Sequence, residues 1–189
     1  MKFYIFSLIA LIGTQLVAQT KVEAEKRIDH SEVPELAFDW LNDAYEGKKR
    51  IKWYEQQSRN KRVYEAKFKW KGKRQSIEFD TIGNIINIEI QLKFRDIPKK
   101  AKSTIDTYFS ENYENYKIKK VQIQYLGKPD DLEDLIDEDE WENITTNYEI
   151  EFLGQSETQN DLFEALFSYT GQLLELRVIE LPSSDILKY

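Results

Sequence analysis

Residues 64–68 read Tyr64-Glu65-Ala66-Lys67-Phe68, and residues 148–152 read Tyr148-Glu149-Ile150-Glu151-Phe152. Both pentapeptides alternate apolar and polar side chains, the period-2 pattern of a strand with one buried face. Each is followed by a second shared element, Phe79-x-x-x-Gly83 or Phe167-x-x-x-Gly171, with further apolar alternation close behind. A pattern stated twice in one chain marks an internal repeat and so bears on architecture before any activity is considered.

Upstream of each pentapeptide the period lengthens to that of a helix. Val33-Pro34 opens a stretch in which Ala37, Phe38, Leu41, Ala44 and Tyr45 share one helical face, with Pro34 tolerated in the first turn and Gly47 suited to the end. Ile97-Pro98 restarts the pattern 64 residues later, where Ala101, Ile105 and Phe109 repeat Ala37, Leu41 and Tyr45 without a gap, and Asp96 is placed to cap the helix. Four alternating segments follow each helix. The first set is marked by Ile51 and Trp53, then Tyr64, Ala66, Phe68 and Trp70, then Ile77 and Phe79, then Ile86, Ile88, Ile90, Leu92 and Phe94. The second is marked by Val121, Ile123 and Tyr125, then Tyr148, Ile150 and Phe152, then Phe163, Ala165, Phe167 and Tyr169, then Leu174, Leu176 and Val178. The expected fold is α+β, two tandem repeats over residues 33–96 and 97–181, each an N-terminal helix packed on a four-stranded antiparallel sheet.

Charge separates the halves. Residues 19–96 carry 17 Lys/Arg against 14 Asp/Glu, a net of +3, whereas residues 97–189 carry 9 against 20, a net of −11. Nine of those acids fall in residues 130–142, within an insertion at 127–143 between the first two strands of the second repeat. Such a run reads as a solvated loop, and a chain dominated by it lacks the basic field expected of a nucleic-acid binder.

Residues 1–18 have the form of a signal peptide: Lys2, an almost wholly apolar run over 3–17, and Leu16-Val17-Ala18 at the cut. The run is shorter than the roughly 20 residues of a spanning helix, and no later segment is apolar enough to cross a bilayer. The expected mature chain therefore starts at Gln19, is periplasmic or secreted, and has no membrane span. Residues 19–32 read as a charged leader and 182–189 as a tail. The chain has no cysteine, which removes disulfides and thiol chemistry and leaves stability to core packing.

Val-Pro or Ile-Pro opening a helix, then Tyr-Glu-x-x-Phe, then Phe-x-x-x-Gly before an alternating strand resembles the PepSY-like, beta-lactamase-inhibitor-like family of exported bacterial proteins. The first copy is carried by Val33, Pro34, Tyr64, Glu65, Phe68, Phe79, Asp80 and Gly83, and the second by Ile97, Pro98, Tyr148, Glu149, Phe152, Phe167 and Gly171. The resemblance covers residues 33–181. It implies a duplicated helix-on-sheet architecture, similar to that of a secreted inhibitor that grips beta-lactamase with its sheet surface and loops, and it implies no settled activity. Two departures stand out: Ser168 replaces Asp80 in the second copy, and the acidic insertion is foreign to the usual repeat.

No catalytic constellation is visible. His30, in the leader, is the only histidine, so a nucleophile has no imidazole base, and nothing singles out a carboxylate pair. The expectation is a non-enzymatic protein without a cofactor that binds a protein or peptide. On the polar face of the first sheet the candidate contacts are Glu65, Lys67, Lys69 and Arg74, with Trp53 and Tyr54 as aromatic anchors; an ordinary solvent-facing sheet is the alternative. In the acidic segment Leu135 and Trp141 suggest docking of a basic partner. Calcium is possible but not favoured there, through Asp137, Asp139 and Glu140, because the spacing matches no EF-hand.

Overall fold

Strict alternation lets each strand bury one face and pair with the next in sequence. The computed structural model describes residues 19–22, 24–58, 61–155 and 160–180; the expected signal peptide (1–18) and tail (182–189) lie outside the described residues. Its elements are β1 (Gln19–Val22), β2 (Ala24–Ile28), α1 (Glu35–Ala44), β3 (Lys49–Ser58), β4 (Lys61–Trp70), β5 (Lys73–Phe79), β6 (Ile85–Gln91), α2 (Lys99–Asn112), β7 (Asn115–Leu126), α3 (Pro129–Asp137), β8 (Thr145–Gln155), β9 (Asn160–Ser168) and β10 (Leu173–Glu180). From β2 to β10 each strand pairs antiparallel with its successor, and β1 lies parallel to β10. The fold is α+β as expected, but the halves share one sheet. β6 pairs with β7, placing Ile88 opposite Tyr125 and Ile90 opposite Ile123.

The helices cover one face of this sheet. On α1 the buried stripe is Ala37, Trp40, Leu41 and Ala44. Trp40 takes the place expected for Phe38, which is exposed, because spacings of three and four residues from Ala37 reach position 40 rather than 38. On α2 the stripe is Ala101, Ile105 and Phe109. Asp96 is not its cap: Pro98 holds that position, and Asp96 closes a single 3-10 turn, Phe94–Asp96, by accepting from the Lys93 N–H at 3.4 Å. Aromatic rings fill both cores. Tyr45 meets Phe68 and Trp70 edge-on at 5.0 Å in the first, and Phe109 meets Phe152 edge-on at 4.7 Å in the second.

The shared glycines brace sheet against helix. Gly83 and Gly171 have φ of +97° and +87°, and a Cβ on them would lie 2.8 Å from the Ala37 nitrogen or 2.3 Å from the Ala101 carbonyl oxygen. Each turn thus presses on the first turns of its own helix, where any side chain would collide. The departure at Ser168 is explained by the same turns. The Asp80 carboxylate accepts from the Asn84 N–H at 2.9 Å, and the Ser168 hydroxyl accepts from the Gln172 N–H at 3.2 Å, so two different side chains close equivalent turns.

Two expectations are corrected. The acidic segment is not a solvated loop: residues 129–137 form α3, with Pro129 in its first turn and Leu132, Leu135 and Ile136 buried in the α1 core. The acids occupy the outer side of an amphipathic helix, and Trp40 ties its start down by donating to the Pro129 carbonyl at 3.1 Å. Nor is 19–32 only a leader. β2 pairs along β3, with Ile28 buried opposite Trp53, while β1 pairs with β10 at the other end of the sheet. Charged side chains hide this strand in the sequence, because backbone pairing at an edge needs no apolar period.

Strands β1 and β2 therefore pair with opposite ends of the meander, and β1 also lies against β3, so the sheet curls until its edges come together. The face away from the helices becomes the inside of that curl. Among the described residues no helix covers this face, yet Glu65, Gln122 and Glu164 on it are each only 4% exposed.

Candidate functional site

Period-2 register puts Tyr54 and Gln56 of β3, Glu65, Lys67 and Lys69 of β4, Arg74 and Ser76 of β5, Glu89 and Gln91 of β6, and Gln122 of β7 on this inner face. They line or flank a cavity of about 680 Å³, within the roughly 300–1,000 Å³ range of ligand pockets. β3 enters it across a bulge. Arg50 has φ +58°, and pairing with β4 jumps from Lys49 to Lys52. A bulge bends the strand and re-aims its side chains, and both Arg50 and Lys52 reach the cavity wall.

A hydrogen-bonded network anchors the floor. Glu65 accepts from Gln56 at 2.5 Å and from the Ser76 hydroxyl, and lies 3.0 Å from the Lys67 ammonium. Lys67 also pairs with Glu25 of β2 and sits 5.1 Å from the centre of the Tyr54 ring. Burial raises the pKa of Glu65 against the pull of Lys67. For Lys67 burial works the other way, and Glu65 and Glu25 overcome it to hold the ammonium above its ordinary pKa. At the second half's edge of the cavity Lys120 lies 2.9 Å from Glu151; burial again disfavours the ammonium, and the carboxylate more than offsets it.

The remaining cations differ. Arg50, Lys52, Lys69 and Arg74 are exposed around the mouth and have no ion-pair partner among the described residues. In the wall, the Gln122 side-chain oxygen is buried without a hydrogen-bond partner among the described residues. Further along the same face the charge reverses. Carboxylate oxygens of Glu149, Glu151 and Glu164 lie within 4.8 Å of one another, compensated by Lys120 at Glu151 and by Arg177, which reaches Glu164 at 3.2 Å and Glu175 at 2.5 Å.

Five residues singled out in the sequence, Tyr54, Glu65, Lys67, Lys69 and Arg74, line this one cavity. The other three do not join them. Trp53 points to the helix face and packs against Phe79 at 5.8 Å, Leu135 is core beneath α3, and Trp141 is exposed beside Tyr125, with its indole N–H on Asp139 at 3.2 Å. Asp137, Asp139 and Glu140 are exposed at the end of α3; among the described residues the converging carboxylates are Glu149, Glu151 and Glu164. Sequence reasoning passed over Arg50, Lys52, Lys120 and Gln122. Lys52, Lys120 and Gln122 stand on the polar register beside Trp53, Val121 and Ile123, but joining the two halves into one wall requires the β6–β7 pairing.

No family model matches the chain, and no curated protein does. Solved structures do. A DUF2874 family protein from Bacteroides ovatus superposes with a TM-score of 0.54 at 16% identity, over 77% of this chain and 87% of that one. A BLIP-like protein from Bacteroides fragilis gives 0.51 at 18% identity, over 80% and 89%. A Bacteroides eggerthii protein designated periplasmic gives 0.53 at 17% identity, over 77% and 88%. The chain therefore has the BLIP-like fold. Among the described residues no helix is long and apolar enough to cross a membrane.

Proposed function

We propose that this chain is an exported, non-enzymatic binding module of the cell envelope, built from two PepSY-like repeats, whose concave polar face takes a protein or peptide partner. The observation that carries the reading is the cavity itself, in which Tyr54, Glu65, Lys67, Lys69 and Arg74 converge and whose mouth carries cations without an ion-pair partner among the described residues. A hydrogen-bonded floor with exposed charges around it suits recognition, since the charges steer the encounter and the floor fixes register. The only histidine, His30, lies against Asp29 at 2.9 Å and off the cavity wall. The export pattern at residues 1–18 and the likeness to a protein designated periplasmic support the location. Inhibition of a secreted hydrolase is a narrower version of the same reading, supported by the likeness to a BLIP-like protein.

A photocrosslinking residue at position 54 tests it. The expected result is one crosslinked envelope protein, identified by mass spectrometry and absent when the crosslinker is moved to Tyr169, which is exposed on the β9–β10 turn. Crosslinks that form equally at both positions, or only at 169, count against the concave face. Divalent-cation binding is the second reading, and the carboxylates that favour it are Glu149, Glu151 and Glu164. Calcium raising the melting temperature by several degrees at constant ionic strength would select it.

A further inference from the structure

The structure assigns a ligand chemistry to the basic end of the concave face: we infer that the cavity between β3, β4, β5 and β7 is a subsite for an acidic, extended peptide segment. This rests on the proposed binding function and narrows it. Three observations converge on it.

The first is charge. Arg50, Lys52, Lys69 and Arg74 ring the mouth without ion-pair partners among the described residues, while the floor charges Lys67 and Lys120 are already matched by Glu25, Glu65 and Glu151. Among the described residues the unmatched charge at the mouth is therefore positive. Arg50 holds a left-handed backbone, φ +58°, at a bulge that delivers it and Lys52 to the wall. Strain of this kind persists where surrounding structure enforces it, commonly at ligand clamps.

The second is an acceptor in want of a donor. Gln122 lines the cavity, is 4% exposed, and its side-chain oxygen has no hydrogen-bond partner among the described residues. A fully ionised phosphate or sulfate offers only acceptors and leaves that oxygen unpaired. A peptide carries carboxylates for the cations and backbone N–H groups that serve Gln122 once its amide turns out of the wall, and an unpaired buried acceptor is costly enough to reward the donor.

The third is that the protein already holds one such segment. Extended β2 lays Glu25 against this network, where its carboxylate accepts from Gln56 at 3.1 Å and pairs with Lys67. Burial opposes the charge on Glu25, and Lys67 with its neighbours prevails, keeping the carboxyl below its ordinary pKa. The same network thus shows how a glutamate on an extended strand is received at one rim of the cavity.

The test is fluorescence anisotropy on the full exported chain with a labelled peptide of alternating Glu and Gly, against matched Gln-Gly and Lys-Gly peptides and inorganic polyphosphate. The Glu peptide is expected to bind at least tenfold tighter than the Gln peptide, and tighter than polyphosphate per unit charge. K52E/R74E should weaken it at least tenfold, and Lys100→Glu on α2, outside the cavity, less than twofold. Gln122→Leu should weaken binding while leaving the urea midpoint unchanged or higher, a split that damage to the fold would not give. Equal binding of the Gln peptide, equal loss in Lys100→Glu, or tighter binding of polyphosphate would overturn the acidic-peptide assignment. If crosslinks at position 54 persist while these criteria fail, the binding face stands and only its chemistry is wrong; if both fail, the proposed function goes with it.

Discussion

The Glu65 carboxylate and the Lys67 ammonium, two residues apart on one face of β4, lie 3.0 Å from each other, with the Glu65 side chain 5% exposed and that of Lys67 35% exposed. A charge that deep depends on its partner, because removing one member leaves the other desolvated and uncompensated, at a cost of about 3–5 kcal/mol for fully buried pairs. Lys67 is partly wet, and Gln56 and Ser76 also serve Glu65. Lys67→Met should therefore destabilise by less, roughly 1–3 kcal/mol by urea denaturation. The double variant E65Q/K67M should recover much of the loss, and a strictly additive double-mutant cycle would mean that the pair is not coupled.

The same pair sets a pH dependence at the alkaline end. Lys67 has a folded pKa above its ordinary 10.5, so its contribution is fully present below 10.5 and is lost as pH rises through the folded value. The stability gap between wild type and Lys67→Met should be constant from pH 7 to 10 and close above that. Glu65 acts in the opposite sense at acid pH. Its pKa is raised from 4.5, so ionising it opposes folding above that value, and E65Q should show a shallower decline in stability between pH 4 and 7 than wild type.

Asp80 and Ser168 solve one turn problem with different chemistry, and only one of them titrates. Slight burial disfavours the Asp80 carboxylate, but donors from Asn84, Ile82 and Gly83 prevail and hold its pKa below 3.8. Its contribution is present above 3.8 and disappears as pH falls through the lower folded value. Asp80→Ser, which copies the second turn, should retain folding at neutral pH and lose part of the acid sensitivity between pH 4 and 2. Asp80→Ala should cost about 1 kcal/mol at pH 7, the net worth of a hydrogen bond. Identical acid titrations for wild type and Asp80→Ser would sink the assignment.

Helix faces, strand periods and turn glycines could be read from residues one at a time, since each obeys local geometry. Ala101, Ile105 and Phe109 are buried where the 3.6 period puts them, and Tyr64, Ala66 and Phe68 are buried where the period of 2 does. Apart from Phe38 read in place of Trp40 and Asp96 read as a helix cap, what escaped was long-range. Nothing local says that Ile88 faces Tyr125, that β1 and β2 pair with opposite ends of the sheet, or that the polar register of β4 lines a cavity. The cavity was thus legible as a row, Glu65, Lys67 and Lys69, but not as a volume, because its other wall comes from Lys120 and Gln122, more than fifty residues away in sequence. The acidic segment misled for a different reason. Its nine acids overwhelm the hydrophobicity of Leu132, Leu135 and Ile136, although their spacing is helical.

Gly171 separates turn strain from steric contact. Ala at Gly47 meets nothing within 4 Å and bears only the left-handed φ of +65°, whereas a Cβ at Gly171 meets the Ala101 carbonyl oxygen at 2.3 Å as well as φ +87°. Gly47→Ala should cost about 1 kcal/mol, and Gly171→Ala about 2–4 kcal/mol, since overpacking against backbone adds to strain. Equal urea midpoints would show that the β9–β10 turn can lift off α2 freely.

Helix α3 packs into the first core. Were it an appendage, removing residues 127–143 would leave the rest intact. Leu132 is fully buried, Leu135 and Ile136 nearly so, all in the same core as Trp40 and Tyr125. Leu132→Ala should cost about 2–5 kcal/mol, as cavity-forming substitutions do. Replacing 127–143 by a short Gly-Ser linker should cost more, because it uncovers Trp40 and removes the acceptor of its indole N–H. By contrast, neutralising Asp134 and Asp137, exposed on the outer side of the helix, should leave stability unchanged or raise it. Glu133 points the same way: burial first, then repulsion from Asp43 and its acidic neighbours, raises its pKa. If the linker variant melts with wild type, the acidic segment is a free docking arm after all; if it unfolds while the neutralised helix holds, α3 belongs to the core and its charge is dispensable to folding.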